Sequence, residues 1–246
     1  MKEWIGGRNP VLETLRARRR PFSRLLIAKG VEEKGRLADI QLLAEERHIN
    51  VEWVPRLQLD SLVENHQGVA LQAGEYPYST LQDILALAKR RGEPPFILVL
   101  DVLQDPQNLG TLLRTAEAVG IHGVLIPLRR AASVTPAVVH ASAGACEHLL
   151  ITQINLDQAL RTIKEEGVWV AGLEGSPEAR PAEELRLDGP LALVVGSEGE
   201  GLRTLVRQSC DFLIRLPMYG KIESLNAAVA GSVALYLALS QRVKKK

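Results

Sequence analysis

Apolar positions fall into short runs and helical spacings that alternate along the whole chain. Residues 24–28, 51–54 and 68–73 are short apolar runs that predict strands. Between them, residues 34–48 and 56–65 carry apolar positions at helical spacing. Asn9-Pro10 reads as an N-cap followed by proline at the first helical position, with Val11, Leu12 and Leu15 on one face of a short helix. Residues 1–74 thus predict a small α/β unit with its own core. The character changes over 75–94, where an amphipathic stretch at 81–88 runs into Lys89-Arg90-Arg91-Gly92-Glu93-Pro94-Pro95. The double proline cannot continue a helix, so 75–94 reads as a linker with a helix inside it.

Residues 95–246 repeat the alternation on a larger scale. Phe96 to Leu100 is continuously apolar, as a central parallel strand covered on both faces requires. Further strands are predicted at 123–126, 149–152, 168–171, 191–195 and 212–216, with helices at 109–119, 156–166, 202–208 and 225–241. The expected fold is α/β with a mostly parallel sheet, in which ligands bind at the carboxyl ends of the strands.

Composition sharpens this picture only in places. The 246 residues are 46% hydrophobic and 24% charged with a net charge of +1, which excludes binding of nucleic acid by bulk electrostatics. Charge is unevenly placed: residues 1–30 hold eight Lys/Arg against two Glu, and 31–75 hold four against nine Asp/Glu. Arg16, Arg18, Arg19, Arg20 and Arg24 therefore suit a localised phosphate contact, or else a solvated helix end. Cys146 and Cys210 have no disulfide or metal-ligand spacing, the charged start carries no signal peptide, and the apolar run from Ala227 is too short to span a bilayer. A cytoplasmic protein without membrane or metal partners is expected. His48 and His66 read as surface or helix-end residues. A thiol-enzyme reading of Cys146-Glu147-His148 is weak, because a free cysteine beside an apolar strand is more often inert core.

Three strand ends carry unusual residue sets. The first is Asp101-Val102-Leu103-Gln104-Asp105-Pro106-Gln107-Asn108-Leu109-Gly110, leading into a helix that Asn108 would cap, with Ala116 inside it and Arg114 in its second turn. The second is Val195-Gly196-Ser197-Glu198-Gly199-Glu200-Gly201-Leu202. The third is Leu216-Pro217-Met218-Tyr219-Gly220, continuing through Ser224-Leu225-Asn226, where Ser224 would cap the last helix. There is no G-x-G-x-x-G, no P-loop and no G-x-S-x-G, so nicotinamide, nucleoside-triphosphate and nucleophile-elbow readings have no support.

Together, in order and spacing across about 150 residues, the three stretches, the first of them from Asp105 onward, resemble motifs 1, 2 and 3 of the SpoU (TrmH) family of RNA ribose 2′-O-methyltransferases, in the SPOUT or α/β-knot superfamily. Two departures are small: Leu216 stands where isoleucine is common, and Ala227-Ala228 where valine and serine are. Gly6-Gly7-Arg8-Asn9-Pro10-Val11-Leu12-Glu13, and the stretch Ala141 to Ala145 with Glu147, resemble the branch of bacterial 23S rRNA guanosine-2′-O-methyltransferases. That branch carries an N-terminal substrate-binding domain similar to ribosomal protein L30e. The resemblance implies a domain over 1–74, a linker over 75–94 and a trefoil-knotted methyltransferase domain over 95–246.

It also implies S-adenosyl-L-methionine as methyl donor, with cofactor contacts at Gly196, Leu216, Met218 and Leu225 and also Leu173, and a homodimer acting on RNA. Arg114 would stabilise the alkoxide that forms on the attacking ribose, since an arginine keeps its proton and is no general base. Asn108 would hold the first motif's loop, Glu198 would orient groups between motifs 1 and 2, and Asn226 would fix the third. The alternatives are a tRNA substrate, separated chiefly by the N-terminal domain, or a non-catalytic RNA-binding or ribosome-assembly factor of the same fold. The nearly all-apolar helix 225–241 asks for burial on more than one side, which a subunit interface would provide.

Overall fold

A computed structural model of the chain describes residues 2–129, 132–197, 199, 201–222 and 224–243. Contacts divide the chain into two units, residues 1–77 with 133–148, and residues 78–132 with 149–246.

The first unit opens with β1 (Lys2–Gly6), α1 (Arg8–Ala17), β2 (Phe22–Ala28), α2 (Arg36–Glu46), β3 (Asn50–Val54), α3 (Arg56–Asp60) and β4 (Val69–Gly74). Its sheet has the order β1-β4-β2-β3, with β4 antiparallel to both neighbours and β2 parallel to β3. β1 is not expected from the sequence, because Trp4 and Ile5 are its only large apolar residues and its first residues face solvent. α1 begins at Arg8 with Gly7 in the cap position, so Asn9 lies inside the helix. His66, expected at the surface or at a helix end, is 3% exposed: its Nδ1 accepts from the Gly68 amide at 2.9 Å and its Nε2 lies 2.8 Å from Asp60 Oδ1.

The second unit begins with α4 (Leu81–Arg91), closed by a capping box between Thr80 and Asp83 and by Gly92 at φ 64°. It continues through β5 (Phe96–Leu100), α5 (Pro106–Ala118) and β6 (Gly123–Pro127). The chain then returns to the first unit with α6 (Pro136–Ala141) and a 3₁₀ turn, Ala145–His148. Back in the second unit follow β7 (Ile151–Ile154), α7 (Leu156–Glu165), β8 (Trp169–Leu173), β9 (Arg180–Pro181), β10 (Leu191–Val195), α8 (Thr204–Ser209), β11 (Phe212–Arg215) and α9 (Ala227–Val243). The sheet order is β7-β6-β5-β10-β8-β11-β9, and every neighbouring pair is parallel. β5 and β10 are buried at every position, which explains their continuous apolar sequences. Ile97, Val99, Leu125, Leu160, Val170 and Val194 belong to the main core. Among the described residues no helix is long and apolar enough to cross a membrane.

The excursion through 133–148 is fastened by a buried ion pair. Arg20 reaches both oxygens of Glu147, Nη2 to Oε1 at 2.6 Å and Nε to Oε2 at 3.1 Å, and both side chains are fully buried. Arg20 Nη1 also donates to Glu3 Oε2 and to the Gly74 carbonyl, and its guanidinium lies 5.0 Å from the centre of the Tyr76 ring. Tyr76 in turn donates its hydroxyl to the Cys146 carbonyl at 2.9 Å. Burial pushes the Glu147 carboxyl up, while the Arg20 charge and its hydrogen bonds act against that rise. Four of the five clustered arginines are engaged within the protein: besides Arg20, Arg19 donates to Tyr76 Oη and the Pro77 carbonyl, Arg16 pairs with Glu13 at 2.8 Å, and Arg24 lies 3.7 Å from Glu52 and over the Trp4 ring. Glu147→Ala leaves the Arg20 guanidinium without its bidentate partner, an expected loss of about 3 kcal/mol of stability. Urea unfolding followed at Trp4 and Trp53, both in the first unit, measures it.

Candidate active site

All four strand ends that matter, those of β5, β8, β10 and β11, point the same way because the sheet is parallel. The loops after β8, β10 and β11 enclose a cavity of about 600 Å³. Leu173, Gly196, Leu216, Met218 and Leu225, each singled out in the sequence, all lie along its wall, with Ser224 and Asn226 beside them. Small residues dominate the rest: Gly175, Gly199, Gly201, Ala227 and Ala230. Such a wall offers mostly main-chain donors and acceptors plus apolar contact, which is what a flat heterocycle needs.

Gly196 has a reason to be glycine that the sequence does not reveal. A Cβ there would stand 2.3 Å from the carbonyl carbon and oxygen of Gly201. The loop closes on itself, with Ser197 and Gly201 exchanging two backbone hydrogen bonds of 3.1 Å, and Gly199 and Gly201 adopt φ of 84° and 67°. The close approach is thus between two strands of the loop's own backbone.

The loop's exit is held from the neighbouring strand. Asp101, fully buried just past β5, accepts from the Arg203 amide at 2.8 Å and from Arg203 Nε at 2.6 Å, while its own amide donates to the Val195 carbonyl. Asp101 heads the first of the three strand-end stretches, but the sequence assigns it no contact of its own. Its signal is a carboxylate placed directly after a fully apolar parallel strand, where amides of the next loop need acceptors.

Motifs 1 and 3 meet through two asparagines. Asp105, rather than Asn108, caps α5: its carboxylate accepts from the amides of Gln107 and Asn108, with Pro106 at the first helical position. Asn226, rather than Ser224, caps α9: its Oδ1 accepts from the amides of Ala228 at 2.9 Å and Val229 at 3.1 Å. An asparagine amide keeps donors to spare in this role, and Asn226 Nδ2 donates to Asn108 Oδ1 at 3.0 Å. The two helices then pack along their length, Leu112 against Gly231 and Thr115 Oγ1 at 2.9 Å from Ser232 Oγ.

Arg114 is not brought to the cavity wall. It stands exposed on α5, in the third turn of a helix that starts at Pro106, and has no hydrogen bond or ion pair among the described residues. Glu198 lies outside the described residues. The Cys146-Glu147-His148 triplet is structural: burial pushes the Cys146 thiol up to about 12, Glu147 pairs with Arg20, and His148 Nε2 lies 2.8 Å from Glu13 Oε2. Cys210 is likewise pushed up to about 12 by burial. No group of three or more His, Cys, Asp or Glu able to hold a metal occurs among the described residues.

A parallel α/β sheet with a main-chain-lined cavity at its carboxyl edge, preceded by a small α/β unit, defines a class of ligand-binding enzyme folds. Residues 95–236 match the SpoU rRNA methylase family, and residues 4–79 match the family described as RNA 2′-O ribose methyltransferase substrate binding. A Bacillus subtilis protein assigned by name to the TrmH family of tRNA/rRNA methyltransferases is 44% identical over 239 residues, covering 95% of this chain and 94% of its own. A Staphylococcus aureus protein of the same designation is 40% identical, covering 97% and 96%. Among solved structures, the SpoU methyltransferase AviRb from Streptomyces viridochromogenes, in complex with AdoMet, aligns with a TM-score of 0.82 at 22% identity. That alignment covers 99% of this chain and 91% of the other and shows a likeness of fold. A structure described as an RNA 2′-O ribose methyltransferase aligns at 0.78 with 26% identity, covering 98% and 89%. The chain belongs to the SpoU family of RNA methyltransferases, and its fold is the mixed α/β, mostly parallel one of that family's α/β-knot members, with a substrate-binding unit in front.

Gly196→Ala is expected to cost about 1–3 kcal/mol, because the loop backbone must move to admit the methyl group. Gly175→Ala has open space around it and is expected to stay within about 0.5 kcal/mol of the parent. Urea unfolding followed at Trp169 separates the two.

Proposed function

We propose that the cavity holds S-adenosyl-L-methionine and that the protein methylates the ribose 2′-hydroxyl of a guanosine in 23S rRNA. The observation that carries this reading is the convergence of Leu173, Gly196, Leu216, Met218 and Leu225, from three separate strand ends, on one wall. A space of about 600 Å³ lined by main chain and small apolar side chains suits a nucleoside with a short amino-acid tail. Bound there, the cofactor supplies an electrophilic methyl group on a sulfonium. The chain's own residues do the rest: the Gly196–Gly201 loop and the Leu216–Asn226 loop hold the donor, and the Asn108–Asn226 bond fixes the first motif against the third. The match of residues 4–79 to a substrate-binding family supports RNA recognition by the first unit. The reduced cysteines and the RNA substrate suit the cytoplasm.

Arg114 acts in a homodimer. Its side chain is exposed and away from its own chain's cavity, while α9 presents Val229, Val233 and Tyr236 to solvent at 47%, 42% and 53% exposure, three to four residues apart. A second copy seated on that stripe covers an apolar face and delivers Arg114 to the neighbouring cavity. There its fixed cation stabilises the developing ribose alkoxide, and an RNA phosphate takes the proton.

Labelled S-adenosylmethionine is expected to methylate 23S rRNA from a strain lacking the gene. Arg114→Ala is expected to lower kcat by about 100-fold or more with cofactor affinity unchanged. Label in tRNA with none in rRNA refutes the rRNA assignment, and no label in any RNA refutes catalysis. Val233→Asp is expected to sediment as a 27.0 kDa monomer and to lose activity with it. An active monomer overturns the shared site.

A further inference from the structure

Among the described residues lining the cavity, Glu174 is the only ionisable side chain. It directly follows Leu173 at the end of β8, its amide donates to the Ile214 carbonyl at 2.9 Å, and its side chain is 21% exposed. Its carboxylate is aimed from the far side by Arg207 on α8, whose Nε donates to Oε1 at 3.1 Å and to Oε2 at 2.9 Å. The same guanidinium reaches Glu178 Oε2 at 2.5 Å through Nη2, and Glu178 is 73% exposed and absent from the cavity wall. Two carboxylates thus share one guanidinium.

That arrangement decides what Glu174 can receive. An ionised carboxylate is an acceptor only, with about four lone-pair sites, and Arg207 occupies one on each oxygen. The guanidinium also cancels most of the charge beside the cavity, and the uncompensated charge of the trio sits with Glu178 in solvent, where it is screened. A cationic ligand group therefore gains little there, whereas neutral hydroxyl donors gain a charge-assisted hydrogen bond. Resting on the cofactor reading above, we infer that Glu174 is a recognition residue for the vicinal hydroxyl pair of the cofactor's ribose, and that Arg207 is the positioning residue that aims it. The site selects ribonucleoside cofactors by an acceptor that would be left unsatisfied by a deoxy analogue.

Calorimetry on the full chain tests this with S-adenosylhomocysteine and its 2′,3′-dideoxy analogue. In the parent protein the analogue is expected to bind about tenfold more weakly. Glu174→Gln is expected to weaken S-adenosylhomocysteine about tenfold while leaving the analogue unchanged, so that the two ligands become nearly equal. Arg207→Gln is expected to narrow the difference in the same sense, and Glu178→Gln to keep it. An unaltered thermal midpoint for Glu174→Gln shows that the fold is intact. Equal weakening of both ligands by Glu174→Gln, or no change in either, overturns the inference. Failure of the parent protein to bind S-adenosylhomocysteine at all overturns the cofactor reading, and this inference with it.

Discussion

The one-way run of the strands in the larger sheet is the constraint from which the site follows. Parallel neighbours cannot be joined by tight turns, so each strand end must open into a loop and a returning helix, and all of these loops leave on one edge. β10 lies between β5 and β8, and β11 lies beyond β8, so segments far apart in sequence become adjacent at that edge. Three loops then share one wall, with few long side chains to fill the space between them. The hydrogen bonds that keep them in place come from single polar residues at the strand and helix ends: Asp101 on Arg203, Asp105 on the first turn of α5, and Asn226 on both α9 and Asn108. Each satisfies backbone amides at a helix start that have no partner within the helix itself.

Much of this was legible in the sequence for physical reasons. β5 and β10 are apolar at every position because both faces are covered, and their bounds, 96–100 and 191–195, are those expected. Helix starts were less legible. Asp105, Asn108, Ser224 and Asn226 are all competent caps, and the choice among them depends on where the neighbouring loop lets the first turn begin. β1 and β9 were invisible because Lys2–Gly6 is half polar and Arg180–Pro181 is only two residues long, so neither has a period to detect. His66, which reads as a surface or helix-end residue, is buried because its partners, Asp60 and the Gly68 amide, form a local cluster that no hydrophobic pattern announces. At the site, residue types at matching spacings pointed to the wall, whereas the roles of Asp101 and Glu174 depend on Arg203 and Arg207, about 100 and 33 residues away.

The basic start of the chain shows how composition misleads when pairing is unknown. Arg19 and Arg20 look, in sequence, like part of a phosphate-binding run with Arg16, Arg18 and Arg24. In the fold, Arg20 is sealed against Glu147 and Arg19 is tied to Tyr76 and Pro77. A buried guanidinium needs counterions, and beside the nearby Glu3 its bidentate, fully buried partner is supplied from a segment 127 residues further on.

That distance bears on how the protein is made. Residues 1–77 are translated before the rest of their own unit, because Glu147, the bidentate partner of Arg20, and α6 lie within 133–148, which in sequence follow residues 78–132 of the second unit. During synthesis residues 1–77 must wait, with Arg20 lacking its bidentate partner, until β5, α5 and β6 have emerged and the chain has turned back. Residues 1–77 are therefore completed only after part of the second unit has been made, and a nascent chain halted before residue 147 holds an unfinished unit however long it is given.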